Sequence, residues 1–254
     1  MVHEIDYKLF GNELQVVEIE LDPGEAVRAE AGAMLYMENG IDMITSTGGG
    51  LLQGFKRALT GDSFFITDFI HKGTGKAHVA FSAPYPGKII PLDLSKFDGN
   101  FICQKDAFLC AAKGIEINIE FTKKFGAGLF GGEGFILQHL TGFGMAFIHA
   151  GGTVITKDLT PGEVIRIDTG CIAGFETSVQ YDIQMVRGFK NALFGGEGLF
   201  LATLKGPGKV LLQSMPLSRL ANRISAGLSH NQGEQKGMAG LGGSLLGGLL
   251  SGDN

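Results

Sequence analysis

The chain has 254 residues, 44% of them hydrophobic, and a formal net charge of −5. That length supports a large core, in one multi-repeat domain or two to three small ones. No basic run exceeds two residues (Lys56-Arg57, Lys123-Lys124), which excludes a nucleic-acid footprint, and the 41 glycines with 7 prolines lack a collagen-like period.

Met1–Asp6 carries early acids and no apolar core, so no signal peptide is expected there. Residues 14–21 alternate loosely between apolar and polar and predict a strand, closed by the turn Leu21-Asp22-Pro23-Gly24-Glu25. A glycine phrase follows, Gly54-Phe55-Lys56-Arg57-Ala58-Leu59, continuing to Gly61 and Asp62. Residues 64–70 are almost wholly apolar, as in a strand covered on both faces, and Gly73-Thr74-Gly75 marks the next turn.

The same landmarks then return. Phe97-Asp98-Gly99-Asn100 is a turn, and Ile115-Glu116-Ile117-Asn118-Ile119-Glu120-Phe121 alternates strictly, the period of a half-buried strand. A second glycine phrase runs from Lys124 through Phe130-Gly131-Gly132-Glu133-Gly134, with Gly142-Phe143-Gly144 after it. Leu159-Thr160-Pro161-Gly162-Glu163 opens a third round, followed by the strand-like Val164–Asp168. The third phrase, Gly188-Phe189-Lys190-Asn191-Ala192-Leu193-Phe194-Gly195-Gly196-Glu197-Gly198, leads into the apolar run 199–204 and Gly206-Pro207-Gly208. Phe55, Phe125 and Phe189 anchor the phrases at intervals of 70 and 64 residues, so the fold is expected to arise by triplication.

The expected organisation is an N-terminal strand region (1–19), three β-repeats (20–92, 93–157, 158–215), a helix (216–230) and a Gly/Leu-rich tail (231–254). Leu217, Leu220, Ala221, Ile224 and Leu228 share one face of that helix. The tail contains Gly243-x-x-x-Gly247 and Gly248-x-x-x-Gly252, spacings that allow close helix approach in lipid, but it is too short and glycine-rich for a span. A flexible tail is the plainer reading. A peripheral membrane or protein contact is the sharper one.

The Leu-x-Pro-Gly-Glu openings and the Gly-Phe-Lys-x-Ala-Leu and Phe-Gly-Gly-Glu-Gly phrases resemble the mitochondrial-biogenesis family named for altered inheritance of mitochondria, over about residues 10–225. The resemblance implies an all-β fold of three tandem repeats of a shortened double-stranded β-helix, similar to the tryptophan-RNA-binding attenuation protein, plus a short C-terminal helix. It also implies a closed homo-oligomer, a trimer being favoured. It brings no catalytic residues.

Little in the sequence points to chemistry. The Gly-Gly-Glu-Gly turns lead into strands and carry a carboxylate, so they read as structural turns rather than phosphate cradles. Asp62, Glu133 and Glu197 occupy equivalent positions beside Gly61, Gly131, Gly132, Gly195 and Gly196. They cap their own turns or, near a pseudo-threefold axis, bind a cation. His3, His71, His78, His139, His149 and His230 form no metal-ligand motif, and no Gly-x-Ser-x-Gly occurs. Cys103, Cys110 and Cys171 are an odd count without metal spacing, expected to be reduced thiols in a cytoplasmic protein. The expectation is a non-catalytic oligomeric scaffold or interaction protein that needs no cofactor. A small-ligand or metal-binding module is the alternative, and an enzyme or RNA binder is the remotest reading.

Overall fold

The computed structural model describes residues 2–30, 32–46, 66–123, 135–185, 200–221, 223, 224 and 227. The protein is nearly all β. The described residues form 19 strands in four antiparallel sheets, and 217–221, 223, 224 and 227 are helical. The chain divides into a β body, Met1–Leu217, and a C-terminal unit, Ser218–Asn254.

In chain order the body contains β1 (Asp6–Phe10), β2 (Val16–Leu21), β3 (Ala26–Glu30), β4 (Met34–Met37), β5 (Ile41–Ser46), β6 (Ile66–His71), β7 (Ala77–Ser82) and β8 (Gly87–Asp93). Then come β9 (Asn100–Gln104), β10 (Phe108–Ala112), β11 (Glu116–Lys123), β12 (Phe135–Thr141), β13 (Met145–Gly151) and β14 (Val154–Leu159). The last are β15 (Val164–Asp168), β16 (Ile172–Phe175), β17 (Gln180–Met185), β18 (Phe200–Lys205) and β19 (Gly208–Gln213).

One pairing pattern recurs three times. The outer trio is β2-β7-β4, then β8-β13-β10, then β14-β19-β16. The inner trio is β5-β6-β3, then β11-β12-β9, then β17-β18-β15. Successive rounds join where β3 pairs with β10 and β9 pairs with β16. Two six-stranded sheets result, β5-β6-β3-β10-β13-β8 and β11-β12-β9-β16-β19-β14. They are flanked by a four-stranded sheet, β1-β2-β7-β4, and a three-stranded one, β15-β18-β17.

The turns explain why the rounds superpose. Gly24, Asp98 and Gly162 end the turn before β3, β9 and β15, with φ of 89°, 51° and 82°. Glycine adopts that left-handed backbone freely, and Asp is among the few other residues that do so cheaply. In the first and third turns a glutamate ties the loop: Glu25 Oε2 accepts from Asp22 N, and Glu163 Oε2 from Thr160 N, both at 2.9 Å. The Gly-x-Gly landmarks fall between β6 and β7, β12 and β13, and β18 and β19.

The four sheets stack face to face with three cores between them. Val17, Ile19, Val79 and Phe81 of the four-stranded sheet meet Val27, Phe69 and Phe147 of the first six-stranded sheet. That sheet turns Phe108, Ala146 and Ile148 to Phe101, Cys103 and Leu140 of the second. The second turns Leu137, Phe175 and Val210 to Ile183, Ala202 and Leu204 of the three-stranded sheet. Phe69, Phe81, Phe101, Phe108, Phe147 and Phe175 are fully buried, each adding about 1.5–3 kcal/mol of apolar burial.

Candidate interaction surface

The predicted turn acids Asp62, Glu133 and Glu197 lie outside the described residues, as do Gly61, Gly131, Gly132, Gly195 and Gly196 and all three glycine phrases. In sequence the phrases fall between β5 and β6, β11 and β12, and β17 and β18, the same place in each round. His230 and the tail also lie outside the described residues. On the apolar helix face Leu217 and Ile224 are exposed and Leu220 is half-buried.

The remaining histidines do structural work where they are described. His71 is buried, its Nδ1 3.2 Å from the Gly40 carbonyl and its Nε2 2.8 Å from that of Gly75. His3 Nδ1 accepts from Ala26 N at 2.9 Å. His149 lies buried on β13 with its ring at 84° to that of Tyr85. Burial pushes its pKa down to about 4. Among the described residues no group of His, Cys, Asp and Glu converges as a metal site. Cys103 and Cys110 are buried and their thiol pKa values pushed up by desolvation, Cys103 to about 12. A surface cleft lined by Glu4, Asp6, Glu20, Asp22 and Glu25 is acidic. Lys76 answers it, hydrogen-bonding Glu20 and holding that carboxyl below its ordinary pKa.

Of the eight sheet ends among the described residues, two are strands whose equivalents in the other rounds are paired on both sides. β4 occupies the same place as β10 and β16, yet among the described residues it has a partner on one side only, β7. β15 occupies the place of β3 and β9, and among the described residues it pairs only with β18. Both ends expose apolar side chains. Leu35 is 54%, Tyr36 41% and Met37 38% exposed on β4, and Val164 is 51% exposed on β15. Unpaired N–H and C=O groups along such an edge are a template for another strand.

Polar groups frame β4. The Tyr36 hydroxyl donates to the Glu18 carboxylate, which raises the tyrosine pKa to about 12. Just beyond the strand, Glu38 accepts from the His78 backbone N–H at 2.8 Å, and its Oε2 lies 2.9 Å from His78 Nδ1. The Glu38 contact raises the His78 pKa, and the His78 contact lowers that of Glu38. On β15, Arg166 is exposed at mid-strand. Sequence reading identified β15 as a strand and passed over β4. The usable signal was arithmetic: if rounds join by pairing, a linear chain of three leaves one strand unmatched at each end.

A family model described as mitochondrial biogenesis AIM24 matches residues 7–215. An uncharacterized protein of Streptococcus pyogenes serotype M6, M6_Spy0233, is 29% identical over 217 residues, covering 82% of this chain and 85% of its own length. A crystal structure of protein SPYM3_0169 from Streptococcus pyogenes aligns with a TM-score of 0.72 at 23% identity, over 88% of this chain and 99% of that one, a likeness of fold.

Proposed function

The chain belongs to the mitochondrial biogenesis AIM24 family, and from that premise we propose that it is a non-catalytic oligomeric scaffold, a protein whose working surface exists only when copies assemble. One observation carries this reading: among the described residues β4 and β15 each lack the second partner strand that their equivalents in the other rounds have, and both expose apolar side chains. A closed assembly removes such edges and buries the side chains on them. Three copies make the favoured ring. Buried Cys103 and Cys110, without a disulfide, accord with a cytoplasmic setting.

Sedimentation velocity over a dilution series tests the proposal. The intact protein is expected to sediment as one closed oligomer of 26.9 kDa subunits at every dilution. Leu35→Asp on β4 is expected to release monomers that still melt cooperatively. A wild-type protein that sediments as a monomer contradicts the scaffold reading.

A further inference from the structure

Resting on the assembling scaffold proposed above, we infer that β15 of one copy pairs antiparallel with β4 of a second copy, setting Ile167 opposite Tyr36, Arg166 opposite Met37 and Ile165 opposite Glu38.

The register comes from the two junctions inside the chain. β4, β10 and β16 each carry a one-residue bulge against their partner within the round, β7, β13 and β19. The bulge sits between Met34 and Tyr36, between Phe108 and Cys110, and between Ile172 and Gly174. Tyr36, Cys110 and Gly174 are therefore equivalent. On the other side, Ala29, Cys103 and Ile167 are the fourth residues of β3, β9 and β15, opposite Thr67, Gln138 and Ala202. At the first junction Cys110 faces Ala29 and Ala111 faces Arg28. At the second Gly174 faces Cys103 and Phe175 faces Ile102. Both junctions use one register, and carrying it forward puts Tyr36 against Ile167.

The second strand has to come from another copy. The sheets holding β4 and β15 are the outer layers of the stack, with both six-stranded sheets between them. Stacked sheets lie about 10 Å apart, so roughly 30 Å separates the two edges within one chain.

Exposure marks the same missing neighbour. Leu35 and Tyr36 are exposed, whereas their equivalents Leu109, Cys110 and Ala173 are fully buried. Val164 is exposed, whereas its equivalent Ala26 is buried. The pattern extends past the edge. Ile155 of β14 stands where Val17 stands in β2; Val17 is buried under the next sheet and Ile155 is 47% exposed. A second copy's β4, β7 and β2, continuing the three-stranded sheet, would cover Ile155.

Two polar contacts of the first junction have counterpart groups at the two edges. At the first junction Lys113 N donates to the Ala26 carbonyl at 3.0 Å, and Arg28 Nη1 donates to the Ile115 carbonyl at 2.9 Å. The equivalent groups are Asn39 N and the Val164 carbonyl, and Arg166 and the Ile41 carbonyl. Each of these pairs is now split between the two ends. Because the two edges differ, the contact runs head to tail, which closes into a ring or continues as a filament.

The test is a cysteine crosslink in the full-length protein. Tyr36→Cys and Ile167→Cys together are expected to give denaturant-resistant, thiol-reducible multimers under mild oxidation. The two single variants, coexpressed, are expected to crosslink to each other. Neither single variant alone, the wild type, nor the out-of-register pair Tyr36→Cys with Val164→Cys should crosslink. If the double variant does not fold, Met37→Cys with Arg166→Cys is scored the same way. Crosslinking of Tyr36→Cys with itself, or an oligomer by light scattering whose in-register pair never crosslinks, overturns this pairing and leaves the scaffold standing. A monomer overturns both.

Discussion

One position in the fold carries three residues for three reasons. Gly174 sits where β16 crosses β9, and a Cβ there would lie 2.6 Å from Phe101 Cε1 and 2.8 Å from the Ile102 carbonyl. Gly174→Ala is therefore expected to destabilise the body by about 1–3 kcal/mol, read as a lower urea midpoint at unchanged slope. At the first junction the position is Cys110, opposite the small Ala29, and on the open edge it is Tyr36. His149 makes a second residue-scale prediction. Unfolded, it takes up a proton below about pH 6.5, whereas burial holds its folded pKa near 4. Its contribution to stability is present above pH 6.5 and is lost as pH falls from there toward 4. Stability is expected to drop by about 2 kcal/mol between pH 7 and pH 5 on its account. Comparing denaturation midpoints of wild type and His149→Gln at the two pH values checks this: the variant should lose that part of the slope, and an identical slope would contradict it.

At the scale of elements, strands with their own signal were legible. The strict alternation of 115–121 appears as β11, and Val164–Asp168 appears as β15 with the expected bounds. The landmarks Asp22-Pro23-Gly24 and Thr160-Pro161-Gly162 and the Gly-x-Gly turns were readable because Pro and Gly fix local φ. β4 was missed because Met34-Leu35-Tyr36-Met37 is short, lacks alternation and carries a bulge between Met34 and Tyr36. Cross-round pairing was not legible either. Cys110 opposite Ala29 and Gly174 opposite Cys103 are contacts between residues far apart in sequence, made by small side chains that leave no periodic mark. The glycine phrases show the converse. They were the loudest signal in the chain and they reported the number of repeats, while their own residues lie outside the described ones.

For the whole molecule, the three rounds as described produce two six-stranded sheets and two shorter ones, which end at β4 and β15, the strands whose equivalents pair with each other at the inner junctions. The body buries three cores yet leaves apolar residues open at both ends. That combination fits a unit made to be joined. The decisive measurement is native mass spectrometry of the full-length protein, purified gently from its own host. One species near three times 26.9 kDa is expected, with no additional mass per chain. A species at 26.9 kDa, or one carrying a bound small molecule on each chain, would contradict it.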